Sequence, residues 1–84
     1  MQLKQVYELL AMVLNVDPQQ IMSFPVTEPL EKLGMDSMGM IRFILLLEET
    51  FNIAFLNSDL ILYNFSTLEK LFQTLEKYKN EEKK

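Results

Sequence analysis

The sequence contains no cysteine and no histidine, and these two absences exclude more than any residue present. Without cysteine, no disulfide can staple a chain of 84 residues, so its core must come from regular packing. A cysteine-free chain without a secretory block at its start reads as cytoplasmic. Without histidine, no Ser-His-Asp or Cys-His pair can be assembled, and the usual Cys/His zinc sites are closed. Asp17, Glu28 and Glu31 lack the spacing of a calcium loop, so no metal site is expected. With no base–nucleophile pair in view, the chain is not expected to be an enzyme. Long apolar runs are missing too. Residues 43–47 are unbroken apolar, far short of the roughly 20 needed to cross a bilayer, so no membrane association is expected. Basic clusters are scarce: 8 Lys and Arg stand against 12 Asp and Glu, for a net charge of −4. The dense lysines, Lys77, Lys79, Lys83 and Lys84, alternate with Glu76, Glu81 and Glu82. They read as a solvated helix end and a frayed, natural soluble terminus, not as a nucleic-acid surface.

What is present is helical periodicity. Leu3, Val6, Tyr7, Leu10, Val13 and Leu14 recur at i, i+3, i+4 and i+7, which predicts a first helix over residues 2–14 ended by Asn15. Asp17-Pro18 is a cap followed by proline at the first helical position, opening a short turn through Ile21. Residues 22–32 form a long connection in which Pro25 and Pro29 impose extended or turn backbone on their predecessors. Phe24, Val26, Leu30 and Leu33 are expected to pin it to the domain. A second long helix is predicted over residues 37–52. It carries one stripe of Met38, Ile41, Leu45 and Glu48 and another of Phe43, Ile44, Leu47 and Phe51. Apolar residues on more than one face mean a central helix or a helix with a docking side. Asn57-Ser58-Asp59 is a turn cluster that predicts a short third helix or helical turn at Leu60, Ile61 and Leu62. Ser66-Thr67-Leu68-Glu69 has the pattern of a capping box, opening a last helix with Leu68, Leu71, Phe72, Leu75 and Tyr78 on one face. The plain reading of each such apolar residue is core. No internal repeat or dividing linker is evident, so residues 1–84 are expected to be a single domain.

The stretch Leu33-Gly34-Met35-Asp36-Ser37-Met38 is where the polar connection meets the second long helix. Gly34 suits a positive φ at a turn. Asp36 suits an N-cap, accepting from the free amides of the first turn. Ser37 then becomes the first helical residue, where an attached anion is favoured by the helix dipole and the unpaired amides. An Asp-Ser pair alone is most often just a cap. The preceding Leu-Gly, the long loop before it and the long helix after it add independent support.

These residues resemble the attachment site of acyl carrier and peptidyl carrier proteins, a Leu-Gly-x-Asp-Ser-Leu/Met motif matched here by Leu33, Gly34, Asp36, Ser37 and Met38. The resemblance covers nearly the whole chain. It implies an all-α, small four-helix bundle with three longer helices, one short helix and a long loop between the first two. It implies that Ser37 carries 4′-phosphopantetheine from coenzyme A, with Asp36 and Gly34 shaping the site. The arm would hold an acyl or aminoacyl group as a thioester. The implied partners are a phosphopantetheinyl transferase, an adenylating or acyl-loading enzyme, and downstream condensing, modifying or releasing enzymes. Met38, Arg42 and Leu45 correspond to exposed partner contacts and Ile41 to a partner-face position nearer the buried side. Phe43, Leu47 and Phe51 correspond to core. Fatty-acid carriers have acidic residues near Gly39 and Arg42, which this chain lacks. Its Met-Gly-Met-Ile-Arg face looks more like peptidyl or D-alanyl carriers, as does Asn64-Phe65-Ser66-Thr67-Leu68. The expectation is a discrete, monomeric peptidyl carrier of a nonribosomal-peptide-type pathway. A D-alanyl or polyketide carrier, a cofactor-free helical interaction module and a helix N-terminal phosphorylation switch at Ser37 are the alternatives.

Overall fold

The computed structural model describes residues 3–82, with side-chain surroundings through Tyr78. The expectations for Gln2 and for the charged residues 79–84 as a frayed terminus lie outside the described residues, save that the last helix continues to Glu82. Among the described residues the architecture is all-helical. Four α-helices, three of them long, run α1 Leu3–Leu14, α2 Pro18–Met22, α3 Ser37–Phe51 and α4 Leu68–Glu82. Single 3₁₀ turns occupy Leu30–Leu33, Asn57–Asp59 and Leu62–Phe65. No helix among the described residues is long and apolar enough to cross a membrane.

The local signals in the first half act as written. α1 buries Val6, Leu10 and Ala11 and stops where Asn15 turns left-handed at φ 57°. Asp17 accepts from the Gln19 amide at 2.9 Å, and the Gln20 side chain accepts from the Asp17 amide at 3.1 Å. This pair of reciprocal bonds fixes α2 with Pro18 at its start. The connection that follows is stitched to the start of α4 by backbone. Leu30 donates to the Ser66 carbonyl at 2.8 Å, and Glu69 donates to the Val26 carbonyl at 3.0 Å. Leu30 is fully buried and Phe24 and Leu33 are half-buried. Val26, expected to pin the loop by its side chain, is exposed and contributes its carbonyl instead.

α3 buries Gly39, Met40, Phe43 and Leu47, and α1 packs directly against it. Asn52, left-handed at φ 53°, ends it. Glu48, on the stripe of Met38, Ile41 and Leu45, is half-buried, and its carboxylate accepts from the Phe55 amide at 3.0 Å.

The second half differs from the sequence reading at two points. Where one short helix or helical turn is expected at residues 60–62, the chain makes two 3₁₀ turns separated by Leu60 and Ile61, with Leu60 outside helical backbone at φ −85°, ψ 60°. The cause is a buried polar anchor beside it. Asp59 accepts from the Lys77 ammonium at 2.8 Å and from the Tyr78 hydroxyl at 2.6 Å. The same Tyr78 oxygen accepts from the Leu56 amide at 2.9 Å. Phe55 stacks edge-on against Phe65 and Tyr78 just beneath. These contacts hold the segment down on α4 in a shape that no continuous helix matches. The second correction concerns the start of α4. Ser66 does not cap forward, because its hydroxyl donates back to the Tyr63 carbonyl at 2.7 Å. Thr67 caps instead, accepting from the Lys70 amide at 3.1 Å.

The Lys77 ammonium, then the Tyr78 hydroxyl, hold the Asp59 carboxyl below its ordinary value of 3.8. A lowered native pKa means the folded state binds fewer protons than the unfolded chain. The contribution is complete above 3.8 and is lost as pH falls through the lower folded value. Melting temperature should therefore fall with acidification below about pH 4. Asp59→Asn should melt lower at neutral pH and show a shallower decline in that acid range, read by circular dichroism melts across pH.

Candidate functional site at the start of the central helix

The segment before α3 is built from three backbone devices. Gly34 takes φ 97°, closing the Leu30–Leu33 turn with its amide on the Glu31 carbonyl at 2.9 Å. A side chain there would be strained by the left-handed backbone, although nothing lies within 4 Å of its Cβ position. Met35 then plugs inward, buried, with its amide on the Leu30 carbonyl at 3.2 Å. Asp36 is extended, and its Oδ1 accepts from the Gly39 amide at 2.7 Å, the charge-assisted cap expected of it. Ser37 emerges as the first residue of α3, exposed to solvent. Gly34, Asp36 and Ser37 thus form one continuous turn.

Beside Ser37 lies an open groove of about 210 Å³. Buried Leu30, Met35 and Met40 form its floor, and Leu62 and Tyr63 rise on the far side from the loop before α4. The Lys70 ammonium sits over the Tyr63 ring, 4.2 Å from its centroid. Pockets that enclose a small molecule run from roughly 300 Å³ upward, so this groove offers a resting surface and not an enclosure. Among the described residues no cluster of acidic, histidine or cysteine side chains could hold a metal.

Met38, Ile41 and Leu45 share the outer face of α3, at 64%, 52% and 57% exposure, with Arg42 exposed alongside. Ile41, expected nearer the buried side, is on the outside. At ~100° per residue it is far from the core line of Met40, Phe43 and Leu47 and close to that of Met38 and Leu45. Phe43 and Leu47 are core as expected, and Phe51 is half-buried. The sequence reading missed the far wall of the groove. Its signal was available in Leu60-Ile61-Leu62-Tyr63, an apolar quartet that the structure leaves exposed and that no helical period explains.

A family model described as a phosphopantetheine attachment site matches residues 4–75, from α1 through the middle of α4. The chain belongs to that family. Searches of curated proteins and of solved structures return no match. Members of the family are non-catalytic carriers with covalently attached 4′-phosphopantetheine, serviced by a phosphopantetheinyl transferase and working with biosynthetic enzymes. The residues at the start of α3 fit such a group. Ser37 is exposed at the amino end of a long helix, where a phosphodiester charge would meet the positive end of the dipole. A groove with an apolar floor lies next to it.

Proposed function

We propose that Ser37 is the residue to which phosphopantetheine is joined, and that the protein is an aminoacyl carrier of peptidyl type serving a nonribosomal-peptide-type pathway. The observation that carries this reading is the exposure of Ser37 at the first position of α3, held by the Asp36 cap and followed by an outward stripe of Met38, Ile41 and Leu45. When bound, the arm supplies a thiol on which cargo rides as a thioester. Ser37 provides the oxygen that accepts the arm, while Asp36 and Gly34 fix the turn that presents it. Met38, Ile41, Arg42 and Leu45 form the docking face. They are met in turn by the transferase, a loading enzyme that adenylates the cargo, and condensing, modifying or releasing enzymes. Docking brings the tethered cargo to each active site at high effective concentration, and methionine adapts to several partner surfaces. A cytoplasmic location belongs to the same reading and accords with the lack of cysteine.

The docking face supports an amino acid over a fatty acyl cargo. Gly39 is buried and presents no side chain, and Arg42 places a positive charge where acidic carriers are negative. The same two residues favour a D-alanyl carrier as the second reading.

Incubation with coenzyme A, magnesium and a promiscuous phosphopantetheinyl transferase should add one phosphopantetheinyl group to the intact mass of the parent protein. Ser37→Ala, with an unchanged helical spectrum, should gain nothing. A full gain in the Ser37→Ala protein would overturn the assignment. A mass gain that needs a kinase and not coenzyme A would favour a phosphorylation switch.

A further inference from the structure

The two glycines of this chain have different physical reasons. Gly34 needs its left-handed backbone and has open space around it. Gly39 is helical and needs no special φ, since Gly34 is the only glycine with a positive one among the described residues. It sits in the first turn of the central helix, where glycine is a poorer helix former than every residue but proline. Space explains it. A Cβ at position 39 would lie 3.1 Å from Asp36 Oδ1, 3.2 Å from Met35 Sδ and 3.4 Å from Val13 Cγ1. The first two are closer than ordinary van der Waals contact. Met35 and Asp36 are the two residues immediately before Ser37. Met35 is buried in the floor of the groove beside Ser37, so a shift of its sulfur is felt next to the serine. Asp36 can retreat only by lengthening its 2.7 Å cap on the Gly39 amide itself. Val13 closes the space from the α1 side.

We propose that Gly39 is a positioning residue for the loading of Ser37: its missing side chain lets Met35 and Asp36 close onto the first turn of α3 and set the direction of the serine hydroxyl. This rests on Ser37 being the attachment point. In loading, Ser37 Oγ forms a bond to the pantetheine-bearing phosphorus of coenzyme A. The phosphoanhydride P–O bond breaks, adenosine 3′,5′-bisphosphate leaves with the electron pair, and the serine proton passes to a base on the transferase. That displacement needs the Oγ aligned with the breaking bond. Gly39 touches neither reacting atom and acts through Asp36 and Met35.

The experiment measures transferase kcat and KM with the full chain as acceptor, for the parent, Gly39→Ala, Val13→Ala, the double variant and Ser37→Ala, with a melt of each. Gly39→Ala is expected to stay helical with a melting temperature near the parent's, because the gain of alanine in a helix is offset by the weakened Asp36 cap. Its kcat should fall about tenfold, the scale on which sub-ångström misplacement of a reacting group acts. Its KM should change less than about twofold, because the exposed docking stripe is untouched. Val13→Ala alone should load at the parent rate. In the double variant the space vacated by Val13 should restore most of kcat. Loading of the parent with equal kcat in Gly39→Ala would overturn this proposal and leave Ser37 as the attachment point. A fall in rate that tracks loss of the melt and is not rescued in the double variant would overturn it as well. No loading of the parent would overturn the Ser37 assignment and this proposal with it.

Discussion

Phe43→Ala is expected to leave the protein largely unfolded at room temperature or melting far below the parent. Phe43 is fully buried at the centre of α3, in the core shared with Val6 and Leu10 of α1 and with Leu71 and Leu75 of α4. Removing a buried phenylalanine costs about 3–5 kcal/mol, from lost transfer free energy and from the cavity left behind. Domains typically have about 0.05–0.15 kcal/mol of stability per residue, which for this chain is roughly 4–13 kcal/mol in total. The loss is therefore comparable with the lower half of that range. No disulfide stands in reserve. Urea unfolding followed by circular dichroism reads the effect, and a midpoint close to the parent's would show that α3 is not the centre of the core.

Leu45→Asp is expected to do the opposite: a folded protein that partner enzymes, the transferase included, turn over at least tenfold more slowly, since a charge replaces the apolar contact at the far end of the docking stripe. Leu45 is 57% exposed, so the stability cost is that of aspartate in a helix, under about 1 kcal/mol. Leu47→Asp, two residues on, places the same charge at a position with 0% exposure and should unfold the chain. The pair separates docking from packing on one helix. Partner turnover and melting temperature measured together check it. A melt as low for Leu45→Asp as for Leu47→Asp would show that the outer face of α3 had been misassigned.

The parts of this structure legible in the sequence are those written in local chemistry. Asp17, Gly34 and Asp36 each solve a backbone problem within three residues of themselves, and each does in the fold what its residue type suggests. Ser37 as the opening residue of α3 followed from the Asp36 cap. Periodicity found α1, α3 and α4, but on α3 it did not show which apolar stripe faces inward. Residues on both sides of the helix are apolar, and only the position of α1 and α4 decides that Met40 is core and Ile41 is not. The choice of Thr67 over Ser66 as cap is also tertiary. The Ser66 carbonyl pairs with Leu30 across the fold, and the helix starts one residue later. The Asp59 anchor was invisible for a stronger reason. Its partners Lys77 and Tyr78 lie 18 and 19 residues away, and a turn-forming Asn-Ser-Asp cluster reads the same with or without them. That anchor splits the expected short helix or turn into two 3₁₀ turns and leaves Leu62 and Tyr63 as the exposed wall of the groove beside Ser37.

The most direct measurement maps the mass gain to a peptide. Cleavage after Lys32 and Arg42 releases residues 33–42, which contain Ser37 and no other hydroxyl side chain. After loading with coenzyme A and transferase, that peptide should carry the whole phosphopantetheinyl group. A loaded protein in which residues 33–42 are unmodified, with the group instead on a peptide containing Ser23, Ser58 or Ser66, would contradict Ser37 as the point of attachment.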